Sequence, residues 1–241
     1  MSFPSVSRPL SRAAESERVG YLKRVLLWTV GGLTLSGVTG VLSAGGLALA
    51  ASSGMTFLFN KWVSMGLILG AFAVAQMVAP KLVFGEQKLL GFGLGAVAQG
   101  FAMGFLLLAA AAMGAATGSP FGLIGMAMAM TVLTGVGLTS YVWTGPKEFS
   151  MLGAALSALS IPMLVLMGVG LVFPALFGGT FGLIISLVFV GVSVGGLLYQ
   201  INQVMHRLNT DQHIEGAYTI MMGILVLFWN ILSLLMRMNR R

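Results

Sequence analysis

The sequence predicts an all-α membrane protein, folded as a bundle of seven transmembrane helices. Three observations lead there. Of 241 residues, 57% are hydrophobic and only 8% charged, whereas a water-facing domain carries about 25% charged residues to keep its surface wetted. The apolar residues gather into seven runs, each near the ~20 residues that cross a bilayer core. Charges, prolines and glycine clusters mark the breaks between runs.

Residues 1–24 are polar and contain Pro4 and Pro9, which predicts a flexible tail. The transmembrane domain is then 25–241. Its first run, 25–51, follows basic residues and contains the A-x-A-like stretch Ala48-Leu49-Ala50. A secretory signal would look similar, but its apolar region is only about 7–15 residues long. The run therefore reads as a retained helix. The remaining spans are 62–80, 89–114, 120–143, 150–173, 179–204 and 214–236. They are separated by Asn60-Lys61, by Pro80 to Lys88, by Gly118-Ser119-Pro120, by Gly145-Pro146-Lys147-Glu148, by Pro174 to Thr180 and by His206 to Glu215. A helix stops where such residues cluster. Ser150 suits the N-cap of the fifth span. Strands are excluded because the runs are long and do not alternate, and an open sheet cannot satisfy its backbone in lipid.

Net charge is +7. The basic residues lie in tails and short loops with no aromatic interleaving, so they set topology and do not bind nucleic acid. With the amino end in the cytoplasm, the inside set is Arg8, Arg12, Arg18, Lys23, Arg24, Lys81, Lys88, Lys147 and Arg207. Outside stand Lys61, Arg237, Arg240 and Arg241. The excess favours an amino end inside, although the carboxy-terminal arginines run against it. The membrane expected is a cell (inner) membrane, with an organelle membrane as the alternative. No cysteine is present, which removes disulfides, thiolate metal sites and thiol nucleophiles.

Glycines at four-residue spacing, Gly91/Gly95, Gly100/Gly104 and Gly191/Gly195, put small residues on one helix face and let backbones approach. The stretch Gly91 to Ala96 fits a loose dinucleotide fingerprint but lacks the preceding strand that gives such a motif meaning.

Little here could carry chemistry. Of the six acidic residues, Glu15, Glu17, Glu86, Glu148 and Asp211 are expected outside the spans, and Glu215 at the end of the loop from His206, where the last span begins. His206, Asp211 and His213 share one loop, but their spacing matches no metal site, so a solvated loop is expected. Met126, Met128 and Met130 alternate, and on a helix residues two apart diverge, so they serve packing rather than copper binding. No phosphate loop, zinc motif or serine elbow occurs. No cofactor, metal site or catalytic residue is expected, and the protein is expected not to be an enzyme. The intramembrane polar residues are Gln76, Gln99, Gln200, Asn202, Gln203 and Asn230. Polar groups in lipid turn toward the bundle interior. They serve either as interhelical hydrogen bonds or as a polar path, and the end of the sixth span, with Gln200, Asn202 and Gln203, is the candidate for the path.

The stretch Leu198-Tyr199-Gln200-Ile201-Asn202-Gln203-Val204 resembles the signature of the Bax inhibitor (transmembrane BAX inhibitor motif) family, in which Tyr precedes Asp-Thr-Gln or Asp-Thr-Ser. Ile214 to Tyr218, continuing through Gly223 to Leu227-Phe228-Trp229-Asn230-Ile231-Leu232, resembles its last helix. Thr139 to Trp143 followed by Lys147 to Gly153 resembles its fourth loop, where Asp-Phe-Ser is usual. The resemblance covers most of the chain and implies the seven-helix bundle of the bacterial-type members. In calcium-leak members two aspartates on the last two helices form a pH-sensitive latch. The matching positions here are Gln200 and Gly223. Neither can ionise, so the di-aspartyl calcium latch is expected to be lost.

Three readings follow. The first is a non-enzymatic membrane regulator or interaction protein. Some bacterial relatives restrain a membrane-anchored ATP-dependent protease and present a flexible amino tail. The second is a calcium or other cation leak. The third is a structural subunit of a larger membrane complex. All three have the lipid bilayer as a partner.

Overall fold

The computed structural model describes residues 15–116, 118–144, 152–156, 158 and 179–239. Six helices in it are long and apolar enough to cross a membrane. They are α1 (Glu15–Ser52), α2 (Lys61–Val83), α3 (Lys88–Ala116), α4 (Gly122–Thr144), α5 (Gly179–His206) and α6 (His213–Asn239). The expected span 150–173 lies almost wholly outside the described residues, of which 152–156 are helical. Every other expected span coincides with a helix. No strand occurs among the described residues.

The first helix starts earlier than the apolar run. It begins at Glu15, so residues 15–24 are helical rather than part of a tail. Tyr21 and Val25 explain why: both are buried, 3% exposed, in the core that surrounds α6. Thirty-eight residues of helix reach about 57 Å at 1.5 Å per residue, well beyond a ~30 Å hydrocarbon core.

α6 is the central element. It packs against α1, α3, α4 and α5, and its buried side chains run from Glu215 to Met236. The outer helices expose leucine, valine, isoleucine and phenylalanine, among them Leu27, Leu42, Leu49, Leu133 and Phe181. In a bilayer these apolar faces are solvated by lipid.

Small residues let the helices close in. A methyl group on Gly91 would sit 2.6 Å from Val83 N and 2.8 Å from Ala79 O of α2. One on Gly95 would meet the Tyr218 ring, and one on Gly100 or Gly104 would meet Ser36 or Ser43 of α1. The pairs Gly91/Gly95 and Gly100/Gly104 are thus true close approaches. Gly191/Gly195 is not: nothing lies within 4 Å of the first, and the second makes ordinary 3.7 Å contact with Leu156. Spacing alone cannot tell a buried glycine face from an open one.

α2 carries a local irregularity. Residues Val74–Val78 form a π turn just before Pro80. Proline lacks the N–H that would continue the α-helical ladder, and its ring crowds the carbonyl four residues back. The ladder shifts by one residue, and Ala79 N–H bonds to Val74 O instead of Ala75 O. The hydroxyl of Tyr218 on α6 donates to the released Ala75 carbonyl.

Candidate functional site

One end of the bundle brings together the amino end of α1, the start of α3, the tight connection from α5 to α6, and the first turns of α6. Asn209 N–H bonds to Gln212 Oε1 at 3.1 Å and Gln212 N–H to Asn209 O at 3.0 Å, which closes that connection. Tyr21 donates its hydroxyl to Gln212 O at 3.3 Å, tying α1 to it.

From this end α5 and α6 run antiparallel along a seam in which residues seven apart on α6 face α5. Gly216 faces Val204, Gly223 faces Gln200, and Asn230 faces Ser193. The side-chain amide oxygen of Gln200 lies directly over Gly223, where any Cβ would collide with it. That oxygen is buried and has no hydrogen-bond partner. One step deeper, Asn230 Nδ2 donates to Ser193 Oγ at 2.7 Å and to Val226 O at 3.0 Å, so the seam ends in a satisfied polar contact.

The polar residues singled out in the sequence therefore separate. Gln200 and Gly223 meet. Asn202 is only 5% exposed and its Nδ2 is unpartnered, but it stands two residues from Gln200 and so leaves α5 in another direction. Gln203 is half-buried, three residues on from Gln200. Asn230 bridges to Ser193. Gln99 is fully buried within α3. Gln76 departs from the inward expectation: it is exposed on α2, within the π turn and one turn before Lys81. Near a helix end a polar head can reach the water interface.

Glu215 also departs from expectation. It does not lie in a solvated loop but in the first turn of α6, 2% exposed, with its Oε1 2.7 Å from Lys88 Nζ. A helix N-terminus favours a carboxylate, and Lys88 is the first residue of α3, so two helix starts are joined by one ion pair. Lys88 is 37% exposed, whereas Glu215 Oε2 is buried without a partner. Among the described residues no group of three His, Asp or Glu side chains is placed to hold a metal ion.

A further pattern escaped the sequence reading. Thr29, Ser36 and Ser43 stand seven residues apart on α1 and donate to Ala217 O (3.4 Å), Ala96 O (2.7 Å) and Phe101 O (3.2 Å). A seven-residue repeat is the signature of helices that wind around each other. Here small hydroxylated residues play the part that leucine plays in water, and they were legible as a Ser/Thr heptad inside the first apolar run.

The comparisons with known proteins agree with this architecture. The family model described as inhibitor of apoptosis-promoting Bax1 matches residues 18–241. The mouse protein named Protein lifeguard 4 is 28% identical over 119 residues, 49% of this chain and 49% of that protein. The chain thus spans about half the length of the curated relative it matches. No solved structure matches. A family match over residues 18–241, carried by a bundle of long apolar helices, means that the chain belongs to the Bax inhibitor family.

Proposed function

We propose that this protein is a non-enzymatic membrane regulator or interaction protein that works without a di-aspartyl calcium latch. The observation that carries the reading is the contact between Gln200 and Gly223. A carboxylate pair at such a contact could share a proton and switch with pH. An amide packed on a glycine cannot ionise, and it offers no charge to draw a divalent cation. The contact is a neutral, closed helix crossing.

A cation leak is the second reading, and Glu215 is what favours it: a buried carboxylate at the mouth of the α5–α6 seam. Lys88 neutralises that carboxylate at 2.7 Å, which weakens the case for cation attraction. The membrane partner of the favoured reading, a membrane-anchored ATP-dependent protease or another complex, would be engaged through the amino-terminal tail.

Calcium flux into liposomes over a pH series tests the reading. The native protein should be silent, and the Gln200→Asp, Gly223→Asp double variant should leak with pH dependence. Calcium flux through the native protein would overturn the proposal. The regulator arm is tested by deleting residues 1–14 and measuring capture of the protease. A longer deletion to residue 24 would remove Tyr21 from the core and confound partner loss with unfolding.

A further inference from the structure

Gln99 is 0% exposed, and neither its Oε1 nor its Nε2 has a hydrogen-bond partner. It sits mid-length in α3, on the turn Ala96–Gly100 that α1 presses against. Ser36 Oγ donates to Ala96 O at 2.7 Å, and a methyl on Gly100 would run into the Ser36 backbone. Gly40, the next turn of α1, lies against the turn that carries Met103. Gln99 is also one turn beyond Gly95, whose face meets Tyr218 of α6. Gln99 thus stands on α3 between the turn that α1 packs against and the turn that meets α6.

An amide shut away from water needs partners for both its ends, because an unsatisfied donor or acceptor loses its hydration with nothing in return. What satisfies Gln99 must accept a hydrogen bond from Nε2 and donate one to Oε1. A metal ion could meet only the oxygen and would be repelled by the N–H groups. An acyl chain could meet neither. A molecule that is small, neutral and both donor and acceptor meets both. Buried water commonly makes about three hydrogen bonds to such groups. We infer that the Gln99 amide binds water in the membrane-embedded core of the bundle. The site is separate from the Gln200–Gly223 contact and stands whichever role the protein has.

Radiolytic footprinting of the full-length protein in nanodiscs tests this. An X-ray pulse makes hydroxyl radicals from bound water, and these oxidise methionine sulfur nearby. Met103 is one turn from Gln99 on the same helix and only 4% exposed. Met236, 7% exposed in the other core cluster, is the control. The site predicts labelling of Met103 several-fold above Met236, falling to the Met236 level in Gln99→Met. Equal labelling of the two methionines in the native protein overturns the inference. So does labelling of Met103 that persists in a folded Gln99→Met variant. If that variant does not fold, the native protein decides alone. After rapid mixing into ¹⁸O water, oxygen-18 in Met103 sulfoxide should lag behind that in exposed methionines such as Met126. No lag, or no Met103 sulfoxide, overturns the site.

Discussion

Tyr218 reaches from α6 to the main-chain carbonyl of Ala75, the carbonyl that the π turn of α2 leaves without its N–H. Three sequence features meet in this contact. Pro80 displaces the ladder, Tyr218 supplies the replacement donor, and Gly95 clears the space through which the ring passes. Ala75 and Ala79 are fully buried beside it, so no water substitutes for the hydroxyl. Irregular backbone is tolerated in a membrane only where protein groups satisfy it.

Tyr218→Phe removes the donor and keeps the ring. The Ala75 carbonyl is then stranded, at an expected cost of about 1–2 kcal/mol. Thermal unfolding in nanodiscs would register the loss. Pro80→Ala should lessen it, because with Pro80 gone α2 can resume an α-helical ladder and satisfy Ala75 itself. An undiminished cost in the double variant would mean that the π turn is not made by Pro80.

Gly100→Ala and Gly191→Ala are the same chemical change on two membrane helices with opposite expected results. At Gly100 the new methyl meets the Ser36 backbone, which cannot rotate away, so overpacking should cost about 1–3 kcal/mol. At Gly191 nothing lies within 4 Å, and exchanging a helix-interior glycine for alanine should stabilise by about 0.5–1 kcal/mol. Thermal unfolding of the two variants side by side separates a close approach from a glycine that merely has the spacing.

That contrast marks what the sequence could and could not disclose. Span positions were legible because runs of apolar residues have no other use at that length. Gln200 and Gly223 were singled out as a pair through the resemblance alone, and it is the packing of α5 on α6 that sets one against the other. Burial was not legible. Glu215 reads as a loop carboxylate until Lys88, 127 residues earlier, is brought within 2.7 Å by the parallel packing of α3 and α6. Gln76 reads as interior, yet it turns outward with the π turn. The helical start at Glu15 was hidden because Tyr21 and Val25 interrupt a charged stretch, and only their contact with α6 reveals the buried face.

The Lys88–Glu215 pair should respond unequally to loss of either member. Lys88→Met leaves a carboxylate 2% exposed with no counter-charge, and breaking a buried pair in that way costs about 3–5 kcal/mol. Glu215→Gln leaves an ammonium that is 37% exposed and can turn to water, so the cost should be about 1 kcal/mol. The Lys88→Met, Glu215→Gln double variant should recover most of what Lys88→Met loses. Thermal unfolding of the three variants gives the comparison, and equal losses from the two single changes would show that Glu215 reaches water.

The α5–α6 seam sets an order of events for restoring charge. Gly223→Ala alone displaces the Gln200 amide oxygen and Leu197 Cδ1, both ends of flexible side chains that can turn aside. The cost expected is therefore at the low end of overpacking, about 1 kcal/mol. Gly223→Asp alone adds a carboxylate to the same crowded spot, beside an amide oxygen that is itself without a donor, so it should be worse. Gln200→Asp shortens the opposing side chain by one methylene and frees the space. The double Asp variant should therefore be more stable than Gly223→Asp alone below the pH at which both carboxyls ionise, since one proton shared between them replaces the lost packing. Above that pH two like charges face each other and the advantage should reverse. Unfolding temperatures of the four proteins across pH would show this crossing. A Gly223→Asp variant as stable as the native protein would mean that the Gln200 side chain swings away from Gly223 at no cost, and the contact would then not hold the two helices closed.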